Sequence, residues 1–151
     1  MDYPSNIQQE WSMPSNINEY EKEKMKNFIK LVFKDVIENI EANEAIISQY
    51  FSPNYIQHVN GTVLNYDDFV QHMKAQKSIL KSIKIVIDHC VVDKNMIATV
   101  HQAHAYKKDG TEIIAKVIAY FEIEDGKIVL CDELTQLIRG NKEDENIGSR
   151  K

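Results

Sequence analysis

The chain has 151 residues, of which 43% are apolar and 27% charged, and a net charge of −5. This length and composition suit one globular domain with its own core. They exclude a disordered or fibrous chain, and the acidic balance argues against a nucleic-acid backbone as partner. No apolar run approaches the ~18 residues of a membrane span, and the polar N-terminus lacks the apolar core of a signal peptide. A cytoplasmic protein with no membrane partner is therefore expected. Cys90 and Cys131 have no metal-type spacing and fall in strand-like runs, which predicts buried free thiols.

Residues 1–18 are rich in Ser, Asn, Gln and Pro without sustained periodicity, and read as a mobile arm in which Trp11 and Met13 are candidates for docking. From Glu19 to Asn39 apolar residues recur at spacings of three and four: Met25, Phe28, Ile29, Val32, Phe33, Val36, Ile37 and Ile40. This pattern predicts an amphipathic helix with one buried stripe and Asn18 as its N-cap. A second helix is predicted from about Ala42 to Tyr50, stopped by Ser52-Pro53-Asn54. Tyr55 to Val59 is strand-like and ends at the Asn60-Gly61 turn. Asn65 then caps a third helix running to about Ser78, with Phe69, Val70 and Met73 on its apolar stripe and Asp67 and Asp68 in its first turn. Lys74, Lys77, Lys81 and Lys84 read as a solvated face.

Four long strands follow, at Ile83–Val92, Met96–Tyr106, Glu112–Glu124 and Lys127–Ile138, separated by short turns carrying Asn, Asp or Gly. Helices first and a meander afterwards is the α+β pattern, here N-terminal helices packed on a curved antiparallel sheet. The domain is expected over 19–139, with a charged tail at 140–151. In the third long strand Ile113, Ala115, Val117, Ala119, Phe121 and Ile123 share one face, while Ile114, Ile118 and Tyr120 lie on the other beside Lys116. The helices can cover only one face, so a homodimer through the other is expected.

The last strand carries one conspicuous carboxylate. Counting by twos, Asp132 shares a face with Ile128, Leu130, Leu134 and Ile138, which predicts a buried carboxylate suited to proton transfer. On that count Glu133 points to the interface, where Lys116 would be its partner.

Two stretches sharpen the fold. Ala45 to His58, with Phe51-Ser52-Pro53-Asn54-Tyr55 leading to Gln57-His58, resembles the SnoaL-like turn between a helix and a pocket-lining strand. Asp125-Gly126-Lys127-Ile128 through Asp132 and Gln136 resembles that family's last strand, in which a His-Trp-Asp triplet precedes a Gln. Here the triplet reads Leu130-Cys131-Asp132, so the Asp matches and the His and Trp do not. The element order, from about Lys24 to Ile138, is similar to the cone-shaped (cystatin-like) fold shared by nuclear transport factor 2, ketosteroid isomerases and SnoaL-like polyketide cyclases.

The resemblance implies an apolar pocket and acid–base catalysis, an aldol cyclisation or an isomerisation, on a small hydrophobic carbonyl compound, with no metal or organic cofactor. The proton-transfer role then falls on Asp132. His58 matches a pocket-lining position, and His101 is carried over from a strand that usually lines the pocket. Tyr50, Tyr55, Phe69, Met73, Leu130 and Leu134 are expected to line it. A two-histidine, one-carboxylate metal site from His58, His101 and Asp132 is conceivable, but nothing in the spacing demands it. The alternative is a non-catalytic module of the same fold that binds a small apolar ligand or a protein partner.

Overall fold

In the computed structural model the backbone is described for residues 5–145 and side chains for residues 18–145. The side chains of Trp11 and Met13, and residues 146–151 of the charged tail, lie outside the described residues. The first helix, α1, spans Ser5–Val32 and continues as a π-helical segment, Phe33–Glu38. Asn18 therefore lies within the helix and is not its cap. The predicted stripe faces the core: Ile29, Val32, Phe33 and Val36 are buried, and Met25, Phe28 and Ile37 pack against them.

The π segment is tied down from two sides. Lys77 Nζ donates to the carbonyls of Val36 and Asn39 at 2.7 and 2.6 Å, so this lysine is an internal clamp, not part of a solvated face. Glu38 accepts from the Ile85 backbone N–H at 2.7 Å.

Helix α2, Glu44–Tyr50, starts at Asn43, whose side chain accepts from Ile46 N. Strand β1, Phe51–Val59, includes the Pro53-Asn54 stretch expected to be a turn. The Asn60-Gly61 turn, with both φ angles positive, joins β1 to a short strand that sequence reading missed, β2 at Thr62–Asn65. Asn65 then caps α3, Tyr66–Ile79, through a reciprocal bond with Asp68. Strands β3 (Leu80–Asp93), β4 (Met96–Lys107), β5 (Glu112–Glu124) and β6 (Lys127–Arg139) complete the chain's main elements. A final turn, Lys142–Asp144, is held by Lys107, which pairs with Glu143 and with buried Asp144.

The sheet runs in the order β2-β1-β6-β5-β4-β3. It is mixed, because β1 pairs parallel to β6 while every other pairing is antiparallel. The three helices pack on one face of this curved, unclosed sheet, which is the expected α+β cone. The core fills the space between the two layers. It contains the buried helix stripe, Phe51, Tyr55, Phe69 and Met73, and the inner face of β5, where Val117, Ala119, Phe121 and Ile123 are buried as the alternation predicts.

Strand β6 departs from simple alternation. Ile123 pairs with Ile128, but Glu122 pairs with Leu130, so Val129 is an extra residue, a β-bulge. A one-residue insertion moves every later side chain to the opposite face. Ile128 is buried before the bulge and Cys131 after it, while Asp132, Leu134 and Gln136 are exposed.

Candidate functional site

Between the helices and the sheet lies an apolar cavity of about 120 Å³. Phe33, Phe51, Phe69, Met73, Val117 and Phe121 supply much of its wall, and Gln57, His101, Glu133 and Thr135 are among its polar members. No lining residue is a lysine or arginine.

The bulge decides which acidic side chain reaches this space. Asp132, expected to be its carboxylate, is exposed on the outer face of the sheet, with His58 and Tyr120 as its lateral neighbours in register. His58 is exposed there too. The side chain facing the cavity is Glu133, which sequence parity sent outward towards Lys116; Lys116 lies exposed on the outer face, in register with Gln136. The pocket-lining set divides in the same way. Tyr55, Phe69, Met73 and His101 line the cavity. Tyr50 instead donates its hydroxyl to Asp35 at the helix layer. Leu134 is 67% exposed and Leu130 points to the outer side of β6. With His101 on the inner face and His58 and Asp132 on the outer, the conceivable two-histidine, one-carboxylate metal site is not assembled.

Glu133 is held by a chain of buried hydrogen bonds. Gln57 Nε2 donates to Glu133 Oε1 at 2.7 Å, and the Tyr55 hydroxyl donates to Gln57 Oε1 at 2.8 Å. This fixes the orientation of the Gln57 amide, since its oxygen and nitrogen each have an assigned partner. Thr135 Oγ1 donates to Glu133 Oε2 at 3.3 Å. The strand beneath is fixed by Asn60. Its side chain exchanges two hydrogen bonds with the backbone of Thr135, and its own N–H donates to the Glu133 carbonyl. Tyr55 is further locked by ring packing with Phe51 and Phe69, at centroid separations of 4.8 and 4.9 Å.

Among the described residues no ion pair is formed by this carboxyl. Glu133 keeps some accessible surface because it opens on the cavity, but its carboxyl lies deep among protein atoms. Burial pushes it up to about 7, a rise limited by the hydrogen bonds from Thr135 and Gln57. The neighbouring Cys131 thiol and Tyr55 phenol are both pushed well up, chiefly by burial, and stay protonated.

Across the sheet, His101 is buried against Phe33, with ring centroids 4.7 Å apart. Its Nδ1 lies 2.9 Å from Thr99 Oγ1. Burial holds the imidazole down at about 4, the Asp88 charge opposing the shift, so it is neutral at ordinary pH. The site thus pairs a carboxyl able to change protonation near neutrality with a neutral imidazole, inside apolar walls. Those are the components of proton transfer at a carbon atom.

Comparison with known proteins agrees with this architecture. Residues 38–131 match the family model described as a SnoaL-like domain, and the chain belongs to that family. The match ends two residues before Glu133. An uncharacterized protein of Schizosaccharomyces pombe is 36% identical over 123 residues, covering 82% of this chain and 94% of its own. Among solved structures, the fold is similar to IdmH of Streptomyces antibioticus, a candidate polyketide cyclase, with a TM-score of 0.62 and 11% identity over 73% of this chain and 90% of that one. It is also similar to an LEH-like epoxide hydrolase of M. tuberculosis, with a TM-score of 0.64 and 11% identity over 85% and 91% of the two chains. At such identities these structures establish the shared fold alone. No described helix is long and apolar enough to cross a membrane.

Proposed function

We propose that this protein is a small acid–base enzyme that moves a proton next to the carbonyl group of a small, hydrophobic compound held in the cavity, in an isomerisation or an aldol closure. Glu133 is the proton-transfer group. The observation that carries this reading is a carboxyl set in an apolar cavity whose lining holds no lysine or arginine, and oriented by Gln57; burial there raises it to about 7. Ionised, Glu133 takes a proton from the carbon beside the carbonyl; protonated, it returns one to a neighbouring carbon. When His101 Nδ1 accepts from Thr99, Nε2 carries the ring proton and is the donor available to the developing oxyanion. Asp132 and His58, on the far face of the sheet, have no part in this step.

The test is deuterium exchange into the α-carbon of a simple cyclic ketone such as 2-methylcyclohexanone in D2O, followed by NMR. Wild-type protein is expected to accelerate exchange, and Glu133→Gln to lose on the order of 100-fold or more of that acceleration. Equal rates for the two proteins would refute the assignment.

A non-catalytic role for the same cavity is the alternative reading, favoured by one observation: both oxygens of Glu133 already accept hydrogen bonds. Saturable ketone binding without any exchange would support it.

The outer face of the sheet is proposed as a homodimer interface. Leu134, Ile118 and Val100 are in register across β6, β5 and β4, and Leu134 and Ile118 are 67% and 55% exposed. The flanking positions Asp132 with Tyr120, and Gln136 with Lys116 and Gln102, are polar, while on β3 the same rows end in exposed Val91 and Val86. An apolar centre with a polar rim is the composition of a subunit contact.

A further inference from the structure

We infer that the cavity takes a neutral, single-ring molecule of about six to ten non-hydrogen atoms bearing one hydrogen-bonding oxygen, and that it excludes both polycyclic compounds and charged ones. The inference rests on the reading of the Glu133 cavity as the ligand site, and it adds the size and charge of what enters.

Size follows from volume. The cavity measures about 120 Å³. An apolar space of ~150 Å³ admits a benzene-sized guest, whereas pockets for larger ligands run to roughly 300–1,000 Å³. The walls are poorly placed to yield. Phe51, Tyr55 and Phe69 pack on one another with centroids 4.7 to 4.9 Å apart. Phe33, opposite, packs against both His101 and Phe121. Enlarging the space on its aromatic sides means breaking one of these contacts.

Charge follows from the lining. No lysine or arginine reaches the cavity, and the His101 imidazole offers a dipole, not a charge; with buried His72 as the one other histidine of the lining, an anion would meet no permanent cation there to offset its desolvation. An ammonium would meet one carboxylate already engaged by Gln57 and Thr135, and would lose its hydration for a single countercharge.

Shape follows from the register. His101 pairs with Val117, which pairs with Thr135, while Glu133 pairs with Ala119 one row away. The glutamate and the imidazole are thus two strands and one row apart, about 12 Å between backbones. Val117, on the strand between them, lines the cavity. That leaves an apolar floor about one ring wide, with a polar group at each side.

The test is binding, read from the methyl NMR signals of Met73 and Val117 in the full chain. Probes are 2-methylcyclohexanone, a neutral tetracyclic ketone, cyclohexanecarboxylate and cyclohexylammonium. The monocyclic ketone is expected to shift the cavity methyls saturably in wild type and in Glu133→Gln. The tetracycle should bind on the order of 100-fold more weakly, and each ion at least about tenfold more weakly than the monocyclic ketone. In Phe121→Ala or, should that variant fail to fold, Met73→Ala, the penalty against the tetracycle should shrink. The inference is overturned if the tetracycle or either ion binds as tightly as the monocyclic ketone. It is equally overturned if the monocyclic ketone leaves the cavity methyls unmoved. Loss of catalysis in Glu133→Gln bears on the proposed reaction alone, since binding is read separately from exchange.

Discussion

Gln57 and Glu133 stand 76 positions apart in the chain and meet at 2.7 Å, amide nitrogen to carboxyl oxygen. The contact exists because β1 and β6 run parallel side by side, with Gln57 in register with Cys131. Gln57 also accepts the hydroxyl of fully buried Tyr55, so one amide serves two buried groups. Gln57→Leu removes a donor that favours the ionised carboxyl, and the Glu133 titration midpoint should move upward. The Tyr55 hydroxyl loses its oxygen acceptor at the same time and keeps only its contact with the Cys131 thiol, at a cost of about 1–3 kcal/mol. The double variant Tyr55→Phe/Gln57→Leu should recover much of that stability, because no buried donor is left behind, while keeping the raised midpoint. Carbon-13 NMR of the Glu133 carboxyl and urea unfolding read the two effects separately. A midpoint that stays put or falls would contradict the assigned role of Gln57.

The two titrating groups of the cavity push stability in opposite directions with pH. Glu133 has its folded pKa raised from 4.5 to about 7. Between those values the folded state holds a proton that the unfolded state has lost, so its contribution falls as pH rises and is spent above 7. His101 is lowered from 6.5 to about 4. Between those values the unfolded state holds the extra proton, so its contribution rises with pH. Over the shared window of 4.5 to 6.5 the two slopes cancel. Glu133→Gln should therefore unmask stability that increases with pH, and His101→Phe stability that decreases, each by about 3 kcal/mol in total. Urea midpoints at intervals of half a pH unit would reveal parallel curves if the two groups were not perturbed in these directions.

That Asp132 faces outward, where alternation predicts it inward, is a matter of one residue. Ile128-Val129-Leu130-Cys131 is apolar at four successive positions, so either parity buries two of them and the alternation rule cannot choose. The bulge at Val129 chooses, and nothing local in that run marks it. The fold was legible because its signals are redundant: the stripe from Met25 to Ile37, the Asn65 cap and the alternation of β5 each agree with one architecture. The site depends on register, which is set by pairing between distant strands. A usable hint lay in β1. There Tyr55, Gln57 and Val59 alternate with Ile56 and His58, and a glutamine on the buried parity calls for a buried polar partner.

The recurring lysines around Lys77 predict a solvated face, yet this one closes the π-helical segment. Its ammonium donates to the carbonyls of Val36 and Asn39, which the wide turn leaves for a side chain to satisfy. Burial lowers it to about 8. Lys77→Met keeps the aliphatic stem and removes the donors, and should cost about 1–3 kcal/mol. Since Phe33 and Ile37 of that segment line the cavity, amide exchange should accelerate across residues 33–39 before it does in β5. Uniform acceleration over the whole chain would mean that Lys77 has no such local role.

The outer face gives a prediction that separates assembly from chemistry. Leu134 and Ile118 are neighbours on adjacent strands and both stand in solvent, with Val100 next in the row. Two lysines placed there, Ile118→Lys with Leu134→Lys, bring like charges together on facing protomers as well as within each one, and a contact with an apolar centre should not tolerate that. Light scattering should change from a dimer mass to a monomer mass. The cavity lies on the other side of the sheet, so ketone exchange through Glu133 should persist in the monomer. Asp132→Asn, one position along β6, should leave exchange unchanged and stability within about 0.5 kcal/mol, as for other exposed sites. A large loss of exchange in Asp132→Asn would return that residue to the reaction and take the role away from Glu133. Wild-type protein that is already monomeric at micromolar concentration would remove the interface.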